Sequence, residues 1–189
     1  MNNKPDSVTH YPTVSVILHW AMALAFVAML ASGILMTGDV LPKKLTFQMY
    51  QWHKSLGVIL LLLFFVRIFW RLTHKVPALP ESFSKPERFA AKLGHFGFYV
   101  LMFSIPMAGW IMVSSSPYGI STYVFDVFKW PHIGFVEGNS DIYKISKEVH
   151  EILGYVFIGV ITLHVSAVIK HGVLKKENLL LRIWFKKND

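Results

Sequence analysis

The chain alternates between long apolar segments and shorter polar ones, and four of the apolar segments have similar lengths. They cover roughly residues 16–36, 53–72, 93–113 and 149–169. About 20 helical residues cross the hydrocarbon core of a bilayer, so each segment is long enough to span a membrane. The pattern predicts an all-α, integral membrane four-helix bundle that forms a single domain over residues 1–189. The first segment lacks the features of a cleaved signal peptide, and we expect it to remain as a helix.

Composition supports a membrane protein and narrows its chemistry. The chain is 53% hydrophobic and 16% charged, with a mean hydropathy of +0.45, whereas about a quarter of the residues are charged in soluble domains. The absence of cysteine from the sequence excludes disulfides, thiolate ligands, iron–sulfur clusters and covalently attached c-type haem. Any haem bound by this chain is therefore of the non-covalent b type.

The formal net charge of +8 arises in the connecting segments and predicts an orientation. With four spans both termini lie on the same side, and 13 of the 19 basic residues fall on that side. The 13 residues are Lys4, Arg67, Arg71, Lys75, Lys85, Arg88, Lys92, Lys170, Lys175, Lys176, Arg182, Lys186 and Lys187. The positive-inside rule then predicts that both termini are cytoplasmic. This distribution does not indicate a nucleic-acid partner.

Four histidines within or beside the apolar segments are the candidate functional residues. They are His19, His53, His150 and His164. Ionisable residues at membrane depth are costly and usually functional. The 14 residues from His150 to His164 correspond to roughly 21 Å along a helix and about 40° around it. One helix can therefore supply a ligand to each of two stacked haems, whose irons would each be bound by two histidines.

The predicted topology sorts these histidines into two levels. At the outer level, the spanning segments offer His53 and His150, which we pair. The inner level offers His19, His95 and His164. We favour His19 with His164 because both lie within apolar runs, whereas His95 is near the start of the third segment. His95 would then bond a haem propionate or a quinone carbonyl.

Other residues near these histidines have two interpretations each. Arg67 and Arg71, near the inner end of the second segment, are candidates to pair with haem propionates, although such arginines often reach lipid phosphates instead. Small residues leave room for a flat macrocycle, or simply for helix packing: Ala21, Ala23, Gly33, Gly57, Gly97, Gly109, Gly154 and Gly159. The aromatic-rich connection over residues 114–147 is either an interfacial belt or a cover over a site.

Five segments of the sequence resemble the bacterial cytochrome b561 family over nearly the whole chain. They are VILHW, WHKSLGVILLLLFFVRIFWR, LGHFGFYVLMFSIPMAGW, HEILGY, and TLHVSAVIKH followed by KKENLLLRI. The resemblance implies a multi-pass protein of the bacterial inner membrane with two haem b groups, His53 with His150 and His19 with His164. It also implies electron transfer between a donor and the quinone pool, with ubiquinone as acceptor. Superoxide:ubiquinone oxidoreductases, which take electrons from periplasmic superoxide, are one type within this family.

The expected partners are membrane lipid, a quinone and superoxide, and Lys54, Lys144 and Lys147 are candidates for attracting that anion. Three other functions compete with this one. The chain is alternatively an electron-transfer subunit docked to a periplasmic redox protein or dehydrogenase. A transporter or channel with a histidine proton relay is a further alternative. A di-metal site ranks last, because inward-facing carboxylates of the kind such sites need accompany only His150, as Glu148 and Glu151.

Overall fold

The computed structural model describes residues 10–174 and 179–185, and four long helices make up most of these ranges. They are α1 (Thr13–Thr37), α2 (Lys43–Thr73), α3 (Lys85–Ser115) and α4 (Ser140–Leu174), followed by the short α5 (Leu179–Arg182). Each of the four long helices is apolar enough to cross a membrane. The predicted four-helix membrane bundle is therefore confirmed. The cytoplasmic placement of the termini stays a prediction, and Lys4, Lys175, Lys176, Lys186 and Lys187 lie outside the described residues.

The helices begin well before the apolar segments that predict them. At the start of α3, Ser84 and Glu87 form a reciprocal capping box, and the Ser84 amide donates to Glu87 Oε2 at 2.9 Å. Before α4, Asn139 Oδ1 accepts from the amides of Asp141 and Ile142, both at 3.1 Å. Hydropathy detects the lipid-facing part of a helix, whereas such polar groups determine where the helix begins.

The early helix starts correct the positions expected for three histidines within their helices. His53, His95 and His150 each lie ten residues after the first residue of their helices. His53 and His150 therefore do not begin their helices, and His95 is not at the start of α3. The choice between His19 and His95 consequently rests on the geometry of their side chains and not on closeness to a helix start.

The helices pack in the order α1, α2, α3 and α4. Backbones approach closely between α1 and α2, between α2 and α3, and most extensively between α3 and α4. Within the described residues, the backbone of α4 stays further from α1 and α2 than from α3. Space between α4 and the first two helices is therefore bridged by side chains.

A seven-residue spacing places one residue of each helix in each of three layers. Seven residues advance a helix by about 10.5 Å and return to nearly the same face. The layer nearest the β-hairpin of residues 122–130, called the hairpin layer, contains Gly33, His53, Gly109 and His150. The central layer contains Phe26, Leu60, Met102 and Phe157. The third layer, called the termini layer, contains His19, Arg67, His95 and His164. All four residues of the central layer belong to the buried hydrophobic cluster of the bundle. The two histidine-bearing layers therefore lie on opposite sides of an apolar core.

A two-stranded hairpin covers one end of the bundle. Strand β1 (Thr122–Val124) pairs antiparallel with β2 (Phe128–Trp130). The hairpin is attached to α2 through the buried Ser55, whose Oγ accepts from the Phe125 amide at 3.1 Å and lies within hydrogen-bond distance of the carbonyls of Gln51, at 2.8 Å, and Tyr123, at 3.0 Å. The expected connection over 114–147 thus contains a hairpin, a 3₁₀ turn at Gly134–Val136 and the start of α4.

Residues 11–20 and 182–184 meet at the other end of the bundle. Trp20 Nε1 donates to the Ile183 carbonyl at 2.8 Å, and the rings of Trp20 and Trp184 contact edge to face. The Tyr11 amide donates to the Arg182 carbonyl at 2.9 Å. The segment that follows α4 therefore packs beside His19, which precedes Trp20.

Candidate functional site

The rings of His53 and His150 face each other in the hairpin layer, with centroids 6.1 Å apart. His150 Nδ1 donates to the carbonyl of Ile105 on α3 at 2.9 Å. His53 Nδ1 lies 2.9 Å from Ser32 Oγ, which is also 2.9 Å from the Met29 carbonyl oxygen. With its own hydrogen directed to Met29, Ser32 Oγ is placed to accept a hydrogen from His53 Nδ1. In this arrangement Nδ1 carries the hydrogen in both rings, and Nε2 retains its lone pair.

The free Nε2 atoms suit a metal bound between the two rings. His53 Nε2 is buried without a hydrogen-bond partner, which is an unfavourable state for a polar atom unless a ligand completes it. Metal–imidazole bonds of about 2 Å on opposite sides of one ion place the two ring centroids about 6 Å apart. The separation of His53 and His150 matches this distance.

The rings of His19 and His164 form a second pair in the termini layer. Their centroids lie 6.5 Å apart, which is again close to the separation that a shared metal requires. Among the described residues, their ring nitrogens make no hydrogen bond. Aromatic edges hold the rings instead: Trp20 is 5.3 Å from His19, and Phe98 is 5.2 Å from His164.

His95 and two arginines surround this second pair. His95 lies within electrostatic range of His164, Arg67 and Arg71, and the ring contact of His164 with another histidine is the one with His19. Arg67 is within electrostatic range of His19 as well. The structure therefore places all the expected residues at this level together, with His19 facing His164 and the others around them.

Arg67 has an unusual environment for a guanidinium inside a membrane-spanning helix. Its Nε is buried without a hydrogen-bond partner, and its Nη1 contacts the sulfur of Met22 at 3.9 Å. A buried cation is strongly unfavourable unless an anion or several acceptors compensate it. The carboxylate of a haem propionate is a group of that kind.

Two glycines lie against the histidines of the hairpin layer. A Cβ atom at Gly109 would lie 3.1 Å from His150 Cε1 and 3.2 Å from His150 Nδ1, closer than ordinary contact. A Cβ atom at Gly33 would lie 3.8 Å from His53 Cε1, which is van der Waals contact. Gly109 therefore allows the close approach of His150 to α3. Gly57 lies against Met29 and illustrates plain helix packing.

The central layer joins the two histidine levels through aromatic contacts. Phe157 is seven residues from both His150 and His164. Its ring centroid lies 4.9 Å from that of Phe26 and 5.8 Å from that of Phe98, and Phe98 contacts His164. The interior between the two levels is therefore closely packed and apolar.

The donor set fits haem b better than a bare metal cluster. Within the described ranges, no group of three or more His, Cys, Asp or Glu side chains is arranged to hold a metal ion. Each histidine pair offers two axial ligands, and a porphyrin supplies the four remaining nitrogens around the iron. The residues present therefore fit two haem groups, one in each layer.

A cavity of about 240 Å³ lies between α2 and the hairpin. Gln48, Trp52 and Ser55 line it from α2, and Tyr123 and Asp126 line it from the hairpin. At 100° per residue, these α2 positions face away from the side of the helix that carries His53. The cavity is thus separated from the histidine pair by the width of α2.

Sequence reasoning missed the groups that orient the hairpin-layer histidines. Ser32 is 21 residues from His53, and the acceptor for His150 is the backbone carbonyl of Ile105. The sequence around a serine in an apolar helix does not identify the residue that it contacts. The sequence also does not show which backbone carbonyl will accept from a histidine, because every residue has one. Only the packing of α1 on α2 and of α3 on α4 brings these groups together.

Comparison with known proteins gives one family over most of the chain. The sequence profile of the family described as prokaryotic cytochrome b561 matches residues 10–186. Cytochrome b561 homolog 2 of Escherichia coli (strain K12) is 25% identical over 182 residues, which cover 96% of this chain and 93% of the relative. Cytochrome b561 homolog 1 of the same organism is 25% identical, covering 93% and 97%. A protein of Yersinia pestis named "Probable superoxide oxidase CybB" is 28% identical, covering 94% and 97%.

Proposed function

Since this chain belongs to the prokaryotic cytochrome b561 family, we propose that it holds two haem groups and passes electrons to the quinone pool of the inner membrane. Membership of this family makes the chain a multi-pass bacterial membrane cytochrome that uses haem b in electron transfer. His53 with His150 would bind one haem, and His19 with His164 the other. The observation that carries this proposal is the pair of ring separations, 6.1 and 6.5 Å, in two layers 14 residues apart on α4.

Haem b, when bound by these histidines, would supply a one-electron redox centre. The Ile105 carbonyl holds the Nδ1 hydrogen of His150 and Ser32 Oγ lies against Nδ1 of His53, so both contacts would leave Nε2 as the nitrogen that holds the group. The closely packed central layer excludes water between the two sites. The chain thereby keeps two redox centres at fixed positions across the membrane.

The termini layer provides the charges for the second site. Arg67, whose Nε is buried and unpaired among the described residues, would bind a propionate carboxylate. Arg71 and His95 lie close enough to contribute further positive charge or hydrogen bonds. His95 alternatively binds a quinone carbonyl, since it lies beside the histidine pair without forming it.

Superoxide is the donor that we propose, with the hairpin end toward the periplasm. A relative that is 28% identical carries the name "Probable superoxide oxidase CybB". Lys144 and Lys147 lie exposed on α4 close to His150, and Lys54 donates to the Ser121 carbonyl at 3.1 Å beside His53. Two superoxide anions would each give up one electron and leave as dioxygen. One ubiquinone would take up both electrons together with two protons.

The proposal is tested on the detergent-purified, oxidised protein by visible spectroscopy. We expect a haem Soret band and two haems per chain, reduction on mixing with superoxide, and reoxidation on adding ubiquinone. A preparation that binds no haem under conditions that load related cytochromes would overturn the proposal that the protein is a cytochrome. It would favour the alternative of a transporter or channel with a histidine proton relay. Reduction by ubiquinol but not by superoxide would instead favour an electron-transfer subunit with a periplasmic redox partner.

The proposed attraction of superoxide by lysines has its own test. Exposed charges steer association through long-range fields, which salt screens over about 10 Å at 0.1 M ionic strength. We expect the second-order rate of reduction by superoxide to fall severalfold as the ionic strength rises. Lys144→Gln with Lys147→Gln should weaken that salt dependence. A rate that is independent of salt would contradict steering.

A further inference from the structure

Two buried nitrogen atoms at the hairpin end lack partners. Trp130 Nε1 and His132 Nε2 are shielded from solvent and make no hydrogen bond within the described residues. Trp130 is the last residue of strand β2, and Pro131 separates it from His132. Buried polar atoms in folded proteins are nearly always paired, because an unpaired one costs about 1–3 kcal/mol. Two of them in one short segment indicate that a polar group belongs beside it.

The segment that carries these two nitrogens is fixed firmly to α3. Trp110 Nε1 donates to the Pro131 carbonyl at 2.9 Å, and the Ile133 amide donates to Ser114 Oγ at 3.0 Å. Trp130 packs its ring on Trp110 with centroids 5.3 Å apart. The segment therefore has little freedom to turn these side chains toward solvent.

The His132 ring is held through its other nitrogen. His132 Nδ1 lies 3.5 Å from Glu137 Oε1, and the histidine side chain is only 12% exposed. This contact directs Nδ1 toward the carboxylate at the surface and Nε2 toward the interior. Trp130 Nε1 is a donor only, whereas imidazole Nε2 donates or accepts according to its protonation. Together they suit an oxygen group that accepts a hydrogen bond from Trp130 Nε1 and either accepts one from His132 Nε2 or donates one to it.

The same part of α3 also contacts His150 of the hairpin layer. Gly109, which lies against His150, precedes Trp110, and Ile105 accepts the hydrogen bond from His150 Nδ1. The segment of Trp130 and His132 is therefore attached to the stretch of α3 that positions His150.

We propose that Trp130 Nε1 and His132 Nε2 form a hydrogen-bonding site for an oxygen group beside the His53/His150 pair. The inference rests on the proposed function. Two oxygen groups have this chemistry: a propionate carboxylate of the haem bound there, and the oxygen of a small redox substrate such as superoxide or a quinone. In both cases the two residues position an oxygen group and are not iron ligands.

The test compares Trp130→Phe, which retains the ring packed on Trp110, with His132→Ala and His132→Gln, whose amide can replace the Nε2 hydrogen bond. Trp70→Phe is the matched control, because the Trp70 indole already donates to Ser15 Oγ at 3.1 Å at the opposite end of the bundle. Haem content, the midpoint potentials of both haems, and the KM for superoxide and for ubiquinone are measured. In a redox titration, the reduction step that is missing from the His53→Ala variant identifies the hairpin-layer haem.

If the oxygen belongs to a propionate, Trp130→Phe and His132→Ala lower the hairpin-layer potential, since the negative charge is less well compensated. We expect roughly a tenfold change in the reduction equilibrium, about 59 mV for one electron, with His132→Gln close to wild type. If the oxygen belongs to a substrate, the potentials stay constant and one KM rises about tenfold.

Unchanged potentials and unchanged KM values in haem-loaded variants would overturn the inference while leaving the proposed function intact. A wild-type protein without haem would instead refute the proposed function, so the two failures are distinguishable.

Discussion

The hairpin layer and the termini layer hold equivalent histidine pairs by different means. His53 and His150 are each oriented by a hydrogen bond from Nδ1, and glycines occupy the other two positions of the hairpin layer. His19 and His164 are oriented by aromatic edges, and the other two positions of the termini layer are Arg67 and His95. One layer therefore controls ring geometry, whereas the other concentrates positive charge.

The difference suggests a direction for the electrons. A cation near a redox centre stabilises its reduced form, because reduction adds negative charge. Arg67 and Arg71 lie around the termini-layer pair, so we expect the higher midpoint potential there. Electrons would then pass from the hairpin end to the termini end, which agrees with a donor outside and an acceptor closer to the cytoplasmic side.

The largest expected effect is the loss of one haem when a histidine of one layer is replaced, while the haem of the other layer stays bound. His53→Ala and His150→Ala should each reduce the haem content from two to one per chain, because one axial ligand is lost and the other site is about 21 Å away along α4. His19→Ala and His164→Ala should remove the other haem. Haem per protein and a redox titration measure the result. Retention of both haems in His53→Ala would disprove the pairing.

His74→Ala provides a control for general damage, since His74 is exposed and stacks on Trp70 after α2. His95→Ala tests the choice at the termini layer. We expect it to retain both haems. Loss of haem from His95→Ala together with retention in His19→Ala would mean that His95 is the axial ligand.

A smaller effect is expected from the hydrogen bond that only the hairpin layer has. Ser32→Ala removes the acceptor for His53 Nδ1, and loss of such an orienting group typically weakens metal binding by about 10–100-fold. Haem dissociation to apomyoglobin measures the change. Ser32→Thr keeps the hydroxyl and should stay near wild type. Faster loss from the termini layer than from the hairpin layer would contradict this assignment.

The charge of the termini layer is tested with Arg67→Gln. Removal of this cation should lower the potential of the termini-layer haem by about 59 mV, which corresponds to tenfold in the reduction equilibrium, and should leave the hairpin-layer potential nearly constant. Arg67→Lys retains the charge and should recover most of the shift. A redox titration followed optically measures both. An equal shift of the two potentials would show that the charge does not act locally.

The smallest effect compares the two glycines of the hairpin layer. Gly109→Ala places a Cβ atom within 3.1–3.2 Å of the His150 ring, so the ring or α3 has to move by a few tenths of an ångström. We expect a cost of about 1 kcal/mol, the low end for overpacking, and thus roughly fivefold weaker haem retention. Gly33→Ala makes an ordinary contact and should cost less. The opposite order would disprove this account of Gly109.

The sequence by itself determined the membrane-spanning bundle and the family, and it supplied the four histidines of the two proposed pairs. About 20 apolar residues in a row have few alternatives to a membrane helix, because every backbone polar group must be paired within lipid. A spacing of 14 residues between His150 and His164 fixes their faces on one helix without knowledge of any neighbour. Properties that depend on one segment alone are therefore recoverable from the sequence.

Only the tertiary structure decided how the segments meet. The close approach of Gly109 to His150, the contact of His53 with Ser32 and the hydrogen bond from Trp110 to the Pro131 carbonyl each join separate elements. Hydropathy also placed the starts of α2, α3 and α4 too late, because the first turns of these helices lie outside the apolar segments; polar groups cap α3 and α4 there, and Pro42 precedes α2. Contacts between helices depend on the relative rotation and depth of two surfaces, which no single segment encodes.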